Sequence, residues 1–342
     1  MLTIKDDVKS FRSSDYNYSF NMKTGFFIRW GKTLQDDPIM APFPEILDLE
    51  ISAGGDCLGK CTWCYKGNGV SKDPTYNMSF EDFKTIFHKI NKGNTLTQIA
   101  FGIMNISTNP DFFKMMEYSR EHNVIPNYTC HGLDVTDEYA KKTAELCGAV
   151  SVSLVGEESY NSIKKFIQHG CKQINVHYVI NLENYDTTFP IIDRIASDEE
   201  LKKINAIVFL QYKPKGRNAG KFHSLTDPNK YKKLIKYCQE KGVGVGFDSC
   251  SAHIYSQTLD ENEKINNVFA EPCESTIFSG YLNCKGKFFS CSFCENESGW
   301  EEGIDVLHCN DFFDDVWNNP KVNEWREKLL KNGRKCPMFK LD

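Results

Sequence analysis

Three cysteines, Cys57, Cys61 and Cys64, stand close together in the stretch DCLGKCTWCYKG at 56–67, directly after an apolar run. The spacing Cys-x3-Cys-x2-Cys offers three thiolates on one short loop, one fewer than the four protein ligands that structural zinc takes. Three thiolates also suit a four-iron four-sulfur cluster with one iron left open, because cysteines are the usual ligands of such clusters. An open iron is useful only where a further molecule binds to it. The chain holds 14 cysteines, a high count for a reducing compartment, where disulfides do not persist. Cys130, Cys147, Cys171 and Cys238 fall in apolar or helical patterns and read as buried small hydrophobes. The others cluster, and clustering points to metal.

These thiols need elements to position them, and 342 residues can build one large domain or two ordinary ones. No apolar run approaches the roughly 18 residues of a membrane helix. The first residues, MLTIKDDVKSFRSSDYNY, lack the apolar centre of a signal peptide, so a cytoplasmic protein is expected. A net charge of −5 argues against a nucleic-acid partner, and QYKPKGRNAGK at 211–221 is the best candidate for a local basic patch.

From about 43 to 247, strand-like runs alternate with amphipathic helical stretches. FPEILDLEIS reads as a strand leading into the cysteine loop. SFEDFKTIFHKINKG then opens a helix with Ser79 and Asp82 in a capping pattern. LTQIAFGIM is followed by a helix with Asn109 as N-cap and Pro110 at its first position. VIPNYTC, AVSVSLVG, KQINVHYVI and INAIVFLQY continue the series, each followed by a helical stretch. Six strand–helix units in strict alternation predict an α/β fold with a parallel sheet, curled into a partial (β/α)6 barrel smaller than the closed eight-fold one. Active sites on such folds lie on the loops after the C-terminal ends of strands, where the cysteine loop falls. From 248 to 342 the pattern changes to short strands and cysteines, which predicts a small second domain. Residues 1–42 form an N-terminal extension with no recognisable pattern, and no extended peptide-recognition domain is expected ahead of the barrel.

The loop resembles the signature of the radical S-adenosylmethionine (radical SAM) superfamily, Cys-x3-Cys-x-aromatic-Cys, with Trp63 as the aromatic. The six-fold alternation fits that superfamily's partial barrel. The resemblance implies that Cys57, Cys61 and Cys64 ligate three irons of a 4Fe-4S cluster and that SAM chelates the fourth. One electron then cleaves SAM to a 5′-deoxyadenosyl radical, which abstracts hydrogen from substrate. Other positions match unevenly. The superfamily's Gly-Gly-Glu-Pro motif after the second strand reads AFGIMNISTNPDFF here, keeping Gly102 and lacking the glutamate, with Asn105 or Ser107 as neutral substitutes. VSVSLVG resembles the fourth-strand segment whose serine approaches the ribose, which makes Ser153 a candidate. The other reading is a strand serine satisfying its own backbone. KPKGRNAG resembles the segment after the sixth strand, where Arg217 would pair with the SAM carboxylate or stand as a solvated loop arginine. His177 faces the barrel interior in this reading, as a substrate contact or a buried, satisfied histidine.

The stretch CESTIFSGYLNCKGKFFSC at 273–291 resembles the opening of the SPASM/twitch extension of these enzymes, in which a glycine hairpin positions ligands of an auxiliary cluster. The full SPASM run of four further cysteines is absent, so the resemblance implies one auxiliary 4Fe-4S cluster, as in the shorter twitch arrangement. Cys250, Cys273, Cys291 and Cys336 are its expected ligands, with Cys294 the main rival and Cys284 a weaker one. A structural zinc ribbon is the alternative use of the same thiols. The implied activity is radical chemistry on a peptide or protein side chain or on a small molecule, nucleotides included, with electrons from a flavodoxin- or ferredoxin-type donor. A non-catalytic iron–sulfur or zinc module is the reading from a different class.

Overall fold

The computed structural model describes residues 1–259 and 271–339. Residues 1–42, unreadable in the sequence, form an antiparallel meander of β1 (Leu2–Lys5), β2 (Val8–Phe11), β3 (Asn17–Asn21) and β4 (Phe27–Trp30) in that order. Tyr16, Tyr18 and Phe20 pack with Phe43, Ile125, Ile277 and Leu329, so the sheet is held by other parts of the chain. Buried Lys9 donates to the carbonyls of Leu96 (2.5 Å) and Asn123 (3.1 Å) and to Asn94 Oδ1 (2.9 Å), just ahead of two barrel strands. Burial pulls the Lys9 ammonium down to about 7. Arg29 adds ion pairs to Glu45 (3.1 Å) and Glu274 (2.8 Å). The meander thus closes the N-terminal end of the barrel.

The barrel begins with β5 (Ile46–Glu50). The short pair β6 (Ser52–Ala53) and β7 (Tyr76–Asn77) closes the neck of the cysteine loop, with Ser52 opposite Asn77. Helix α1 (Phe80–Ile90) follows, its first turn capped by Ser79, whose Oγ accepts from Asp82 N at 3.1 Å. Then come β8 (Gln98–Gly102), α2 (Phe112–Glu121), β9 (Ile125–Cys130), α3 (Asp137–Leu146), β10 (Val150–Ser153) and α4 (Glu157–Gln168). The series ends with β11 (Ile174–Ile180), α5 (Thr188–Ser197), β12 (Ala206–Gln211), α6 (Pro228–Glu240) and β13 (Val245–Phe247). Helix α2 starts at Phe112, two residues beyond the expected Pro110, because Asn109 is held in the preceding turn. Its buried amide donates to the carbonyls of Ile51 and Met78, and its Oδ1 accepts from Asp111 N.

Strands β5, β8, β9, β10, β11, β12 and β13 are parallel neighbours in that spatial order, the expected six units plus one, and they do not close on themselves. Strand β14 (Ser279–Leu282) pairs in parallel with β5, so the C-terminal segment continues the barrel's own sheet. The antiparallel β15 (Lys287–Phe289) and β16 (Ile304–Asp305) extend it further. Helices α7 (Ala252–Ser256) and α8 (Pro320–Lys331) complete this segment.

Side chains alternate across each strand. Leu47, Leu49, Ile99, Phe101, Val150, Val152, Val176 and Phe209 belong to the core shared with the helices. The intervening Asp48, Ala100, Thr129, Ser153, His177 and Val208 therefore face the lumen, and all remain at least partly accessible. Closed eight-fold barrels fill this space with bulky side chains. Small and polar residues here leave it open.

Candidate active site

Cys57, Cys61 and Cys64 sit half-buried on the loop after β5. Cys64 N donates to the Cys61 carbonyl at 3.3 Å. Burial, then the neighbouring thiols Cys64 and Cys57, push the Cys61 thiol up to about 11. Burial and Cys64 also raise Cys57, against a lowering by Arg217. The three thiols are therefore electrostatic neighbours of one another.

Two outside segments fix the loop. After β12, Arg217 N donates to the Cys64 carbonyl (2.9 Å), and its Nη1 and Nη2 donate to the carbonyls of Lys60 (2.5 Å) and Asn68 (2.7 Å). Asn218 adds a bond to the Thr62 carbonyl at 2.9 Å. Gly216 permits this approach: its φ is +72°, and a Cβ there would lie 2.4 Å from the Tyr65 carbonyl oxygen. After β8, Asn105 Oδ1 accepts from Leu58 N and His131 Nε2, both at 2.9 Å. Its Nδ2 donates to the Asp56 carbonyl (2.9 Å) and Thr108 Oγ1 (2.8 Å).

These contacts change how several sequence candidates read. Both terminal nitrogens of Arg217 hold the loop, and only its buried Nε lacks a partner among the described residues. Asn105 has its whole amide engaged in bracing, and Ser107 gives its N and Oγ to Asp134 Oδ2 (2.9 and 3.0 Å). The basic stretch at 211–221 is not a solvated patch: Lys213 is buried, Lys215 donates to the Phe293 carbonyl at 2.7 Å, and Arg217 is tied to the loop. Trp63 is half-buried with its ring edge-on to Phe222 at 6.3 Å. Gly102 ends β8 against the backbone of Glu50. Ser153 ends β10 opposite His177. His177 bonds Thr129 at 3.4 Å, and burial lowers its ring to about 4, so it is neutral.

In the C-terminal segment Cys250, Cys273, Cys291, Cys294 and Cys336 converge. Cys250 interacts with Cys273 and Cys291, Cys273 with Cys336, and Cys294 with Cys336. Cys291 and Cys294 Sγ are 3.5 Å apart. Cys284 stands elsewhere, among Glu50, Lys66 and Glu295, and Cys309 lies near Lys89 and Asp315. No group of three or more His, Cys, Asp or Glu among the described residues is arranged around a single metal ion. A closed zinc site needs four donors about 2.3 Å from one ion. An iron–sulfur cluster instead gives each thiolate its own iron, so a looser ring of thiols fits it better.

Sequence reasoning missed three residues. Lys213 donates to Asp248 Oδ2 (3.2 Å) and the Gln211 carbonyl, lies 4.1 Å from the Phe293 ring centroid, and neighbours Cys250. Burial opposes its charge, but Asp248 and Cys250 outweigh burial and hold it charged. Lys66, two residues after Cys64, pairs with Glu50 (3.2 Å) and Glu295 and so ties the loop to the C-terminal segment. A cavity of about 760 Å³ opens beside it, lined by Glu50, Tyr65, Lys66, Lys215, Cys284 and Glu295 among others. Asp48 is the third. Its signal was the alternation in ILDLE, which sets two acids on one face of β5.

No family model and no curated protein matches the chain. Solved structures do. SuiB of Streptococcus suis bound to S-adenosylmethionine superposes with TM-score 0.72 at 12% identity, covering 95% of this chain and 90% of SuiB. SuiB bound to the precursor peptide SuiA gives 0.71 at the same identity and coverage. Native anSMEcpe with bound AdoMet and the Cp18Cys peptide gives 0.60 at 17% identity, covering 86% of each chain. The chain has the fold of the radical SAM enzymes SuiB and anSME.

Proposed function

We propose that this protein is a radical SAM enzyme that abstracts hydrogen from a peptide or protein side chain. The observation that carries the reading is the thiol triad Cys57, Cys61 and Cys64 on the loop after β5, braced from both sides of the barrel mouth by Asn105 and Arg217. These three would hold a 4Fe-4S cluster. Gly102, Ser153, Trp63 and the free Nε of Arg217 remain to contact SAM, while Asn105 and the Arg217 fork are positioning groups. Buried polar atoms without a partner among the described residues, Asp134 Oδ1 and the Tyr212 hydroxyl besides Arg217 Nε, lie on the same rim and suit a polar cofactor. Cys250, Cys273, Cys291 and Cys336 would hold one auxiliary cluster, with Cys294 as alternative fourth ligand. When bound, cluster and SAM supply one-electron cleavage and hydrogen abstraction. The residues of this chain shape a lumen of small side chains, keep His177 neutral and shield the reaction from water.

The peptide reading is supported by the similar structures that hold peptides, SuiB with SuiA and anSMEcpe with the Cp18Cys peptide. A small metabolite, nucleotides included, is the second reading, favoured by the small and polar side chains that face the lumen. A flavodoxin- or ferredoxin-type donor in the cytoplasm would deliver the electron. No described helix is long and apolar enough to cross a membrane. The test is electron paramagnetic resonance of the anaerobically reconstituted, reduced protein. SAM should alter one cluster signal and leave a second unchanged. A spectrum indifferent to SAM refutes the reading.

A further inference from the structure

Most charged side chains inside this barrel have partners. Lys66 stands between Glu50 and Glu295, and Lys213 stands against Asp248. Asp48 is different. It lies in the middle of β5, between Leu47 and Leu49, which point into the helix-packed core, so its carboxylate points into the lumen. Its neighbours in register are Ala100 on β8, which offers only a methyl group, and Tyr281 on β14. The Tyr281 hydroxyl is turned to Glu50, at 3.1 Å. No hydrogen bond or ion pair reaches the Asp48 carboxylate among the described residues. The side chain is accessible, yet protein surrounds the space it opens into, and this enclosure alone raises its carboxyl to about 6. At neutral pH it is still ionised.

An unpaired carboxylate facing an enclosed space costs stability, and any small neutral residue would fill the same strand position without that cost. Of the other polar side chains there, Thr129, Ser153 and the unprotonated His177 are uncharged, while Glu50 and Asp248 each face a lysine. Asp48 is therefore a lumen carboxylate that no cation among the described residues meets, on the strand that leads directly into the cysteine loop. We infer that Asp48 is a substrate-binding residue, whose carboxylate receives a cationic group, the ammonium or guanidinium of a basic side chain or amine. The inference rests on the radical SAM reading and narrows its substrate class to molecules with a positive charge near the reacting carbon. A charge-assisted bond of this kind is short and directional, and it fixes which hydrogen faces the cofactor.

The test uses anaerobically reconstituted holoenzyme with SAM bound, wild type and Asp48→Asn, titrated calorimetrically with butylguanidinium and with neutral butylurea. The Asn variant keeps the shape and removes the charge. Wild type should bind butylguanidinium at least about ten-fold more tightly than the variant does, and both should bind butylurea alike. The variant should also melt at a higher temperature at neutral pH, because an unpaired charge has left an enclosed site, and should keep wild-type iron content and SAM affinity. Equal affinity of both proteins for butylguanidinium, or binding by neither, overturns the inference. So does a lower melting temperature, which would make Asp48 structural. A fall in SAM affinity also overturns it, because it would assign the carboxylate to the cofactor. A wild-type protein that holds iron and SAM but ignores the cation refutes this inference alone; one that takes up neither refutes the functional reading as well.

Discussion

Replacing Asn105 by Ala separates a brace from a cofactor contact. Its amide makes four hydrogen bonds: two to the cysteine loop at Leu58 N and the Asp56 carbonyl, one to His131 and one to Thr108. In Asn105→Ala the Thr108 hydroxyl still accepts from the backbone N of residue 105, at 3.3 Å, so that group is not stranded. Asp56 and Leu58 are exposed, so water can replace their lost partner at about 0.5–1 kcal/mol each. His131 is buried, and Nε2 left without a partner costs about 1–3 kcal/mol. The sum is about 3 kcal/mol, concentrated on the segment that carries Cys57. Iron assay and thermal melting of anaerobically purified protein should show both effects: a lower melting temperature, and loss of about half the iron, with the C-terminal share retained. A variant with wild-type iron and stability but weakened SAM binding would show that Asn105 is no brace and return it to the cofactor.

Other substitutions probe the same architecture. Gly216→Ala places a Cβ 2.4 Å from the Tyr65 carbonyl in a left-handed backbone, which alone costs about 1–2 kcal/mol, so it should lose loop iron as Asn105→Ala does; unchanged iron would show that this approach is dispensable. In the C-terminal segment, Cys250→Ala should lose auxiliary iron while Cys284→Ala and Cys294→Ala keep it; the reverse for Cys250 and Cys294 would put the fourth ligand at Cys294. Lys9 gives a pH signature. Its folded value, about 7, lies below the unfolded one near 10.5, so the unfolded chain binds more protons between them and stability rises with pH across that window. Wild type should therefore gain melting temperature relative to Lys9→Met between pH 7 and 9, and parallel profiles would refute the assignment.

The parts legible in the sequence were those with local grammar. Cysteine spacing is fixed within a few residues, and the strand–helix alternation repeats through 43–247 because each unit carries its own periodicity and, at Ser79, its own cap. The meander of 1–42 was not legible. Its strands are four or five residues long, and residues such as Tyr18 and Phe20 are buried against Phe43, Ile277 and Leu329, far away in sequence. For Asn105 and Arg217 the sequence did not reveal the partners that the structure gives them. Motif resemblance sets them near SAM, whereas the hydrogen bonds that occupy them come from the backbone of a different loop. Lys213 looked like part of a solvent-facing basic stretch, because sequence does not reveal that Asp248 and Cys250 enclose it.

The proposed function makes the Cys57, Cys61 and Cys64 loop the seat of SAM cleavage. The direct measurement is 5′-deoxyadenosine formed when anaerobically reconstituted protein receives SAM and dithionite. Wild type should produce it. The triple variant Cys57→Ala, Cys61→Ala, Cys64→Ala should produce none while retaining the iron of the C-terminal segment. Deoxyadenosine from the triple variant, or none from an iron-replete wild type, would rule this loop out as the site of SAM cleavage.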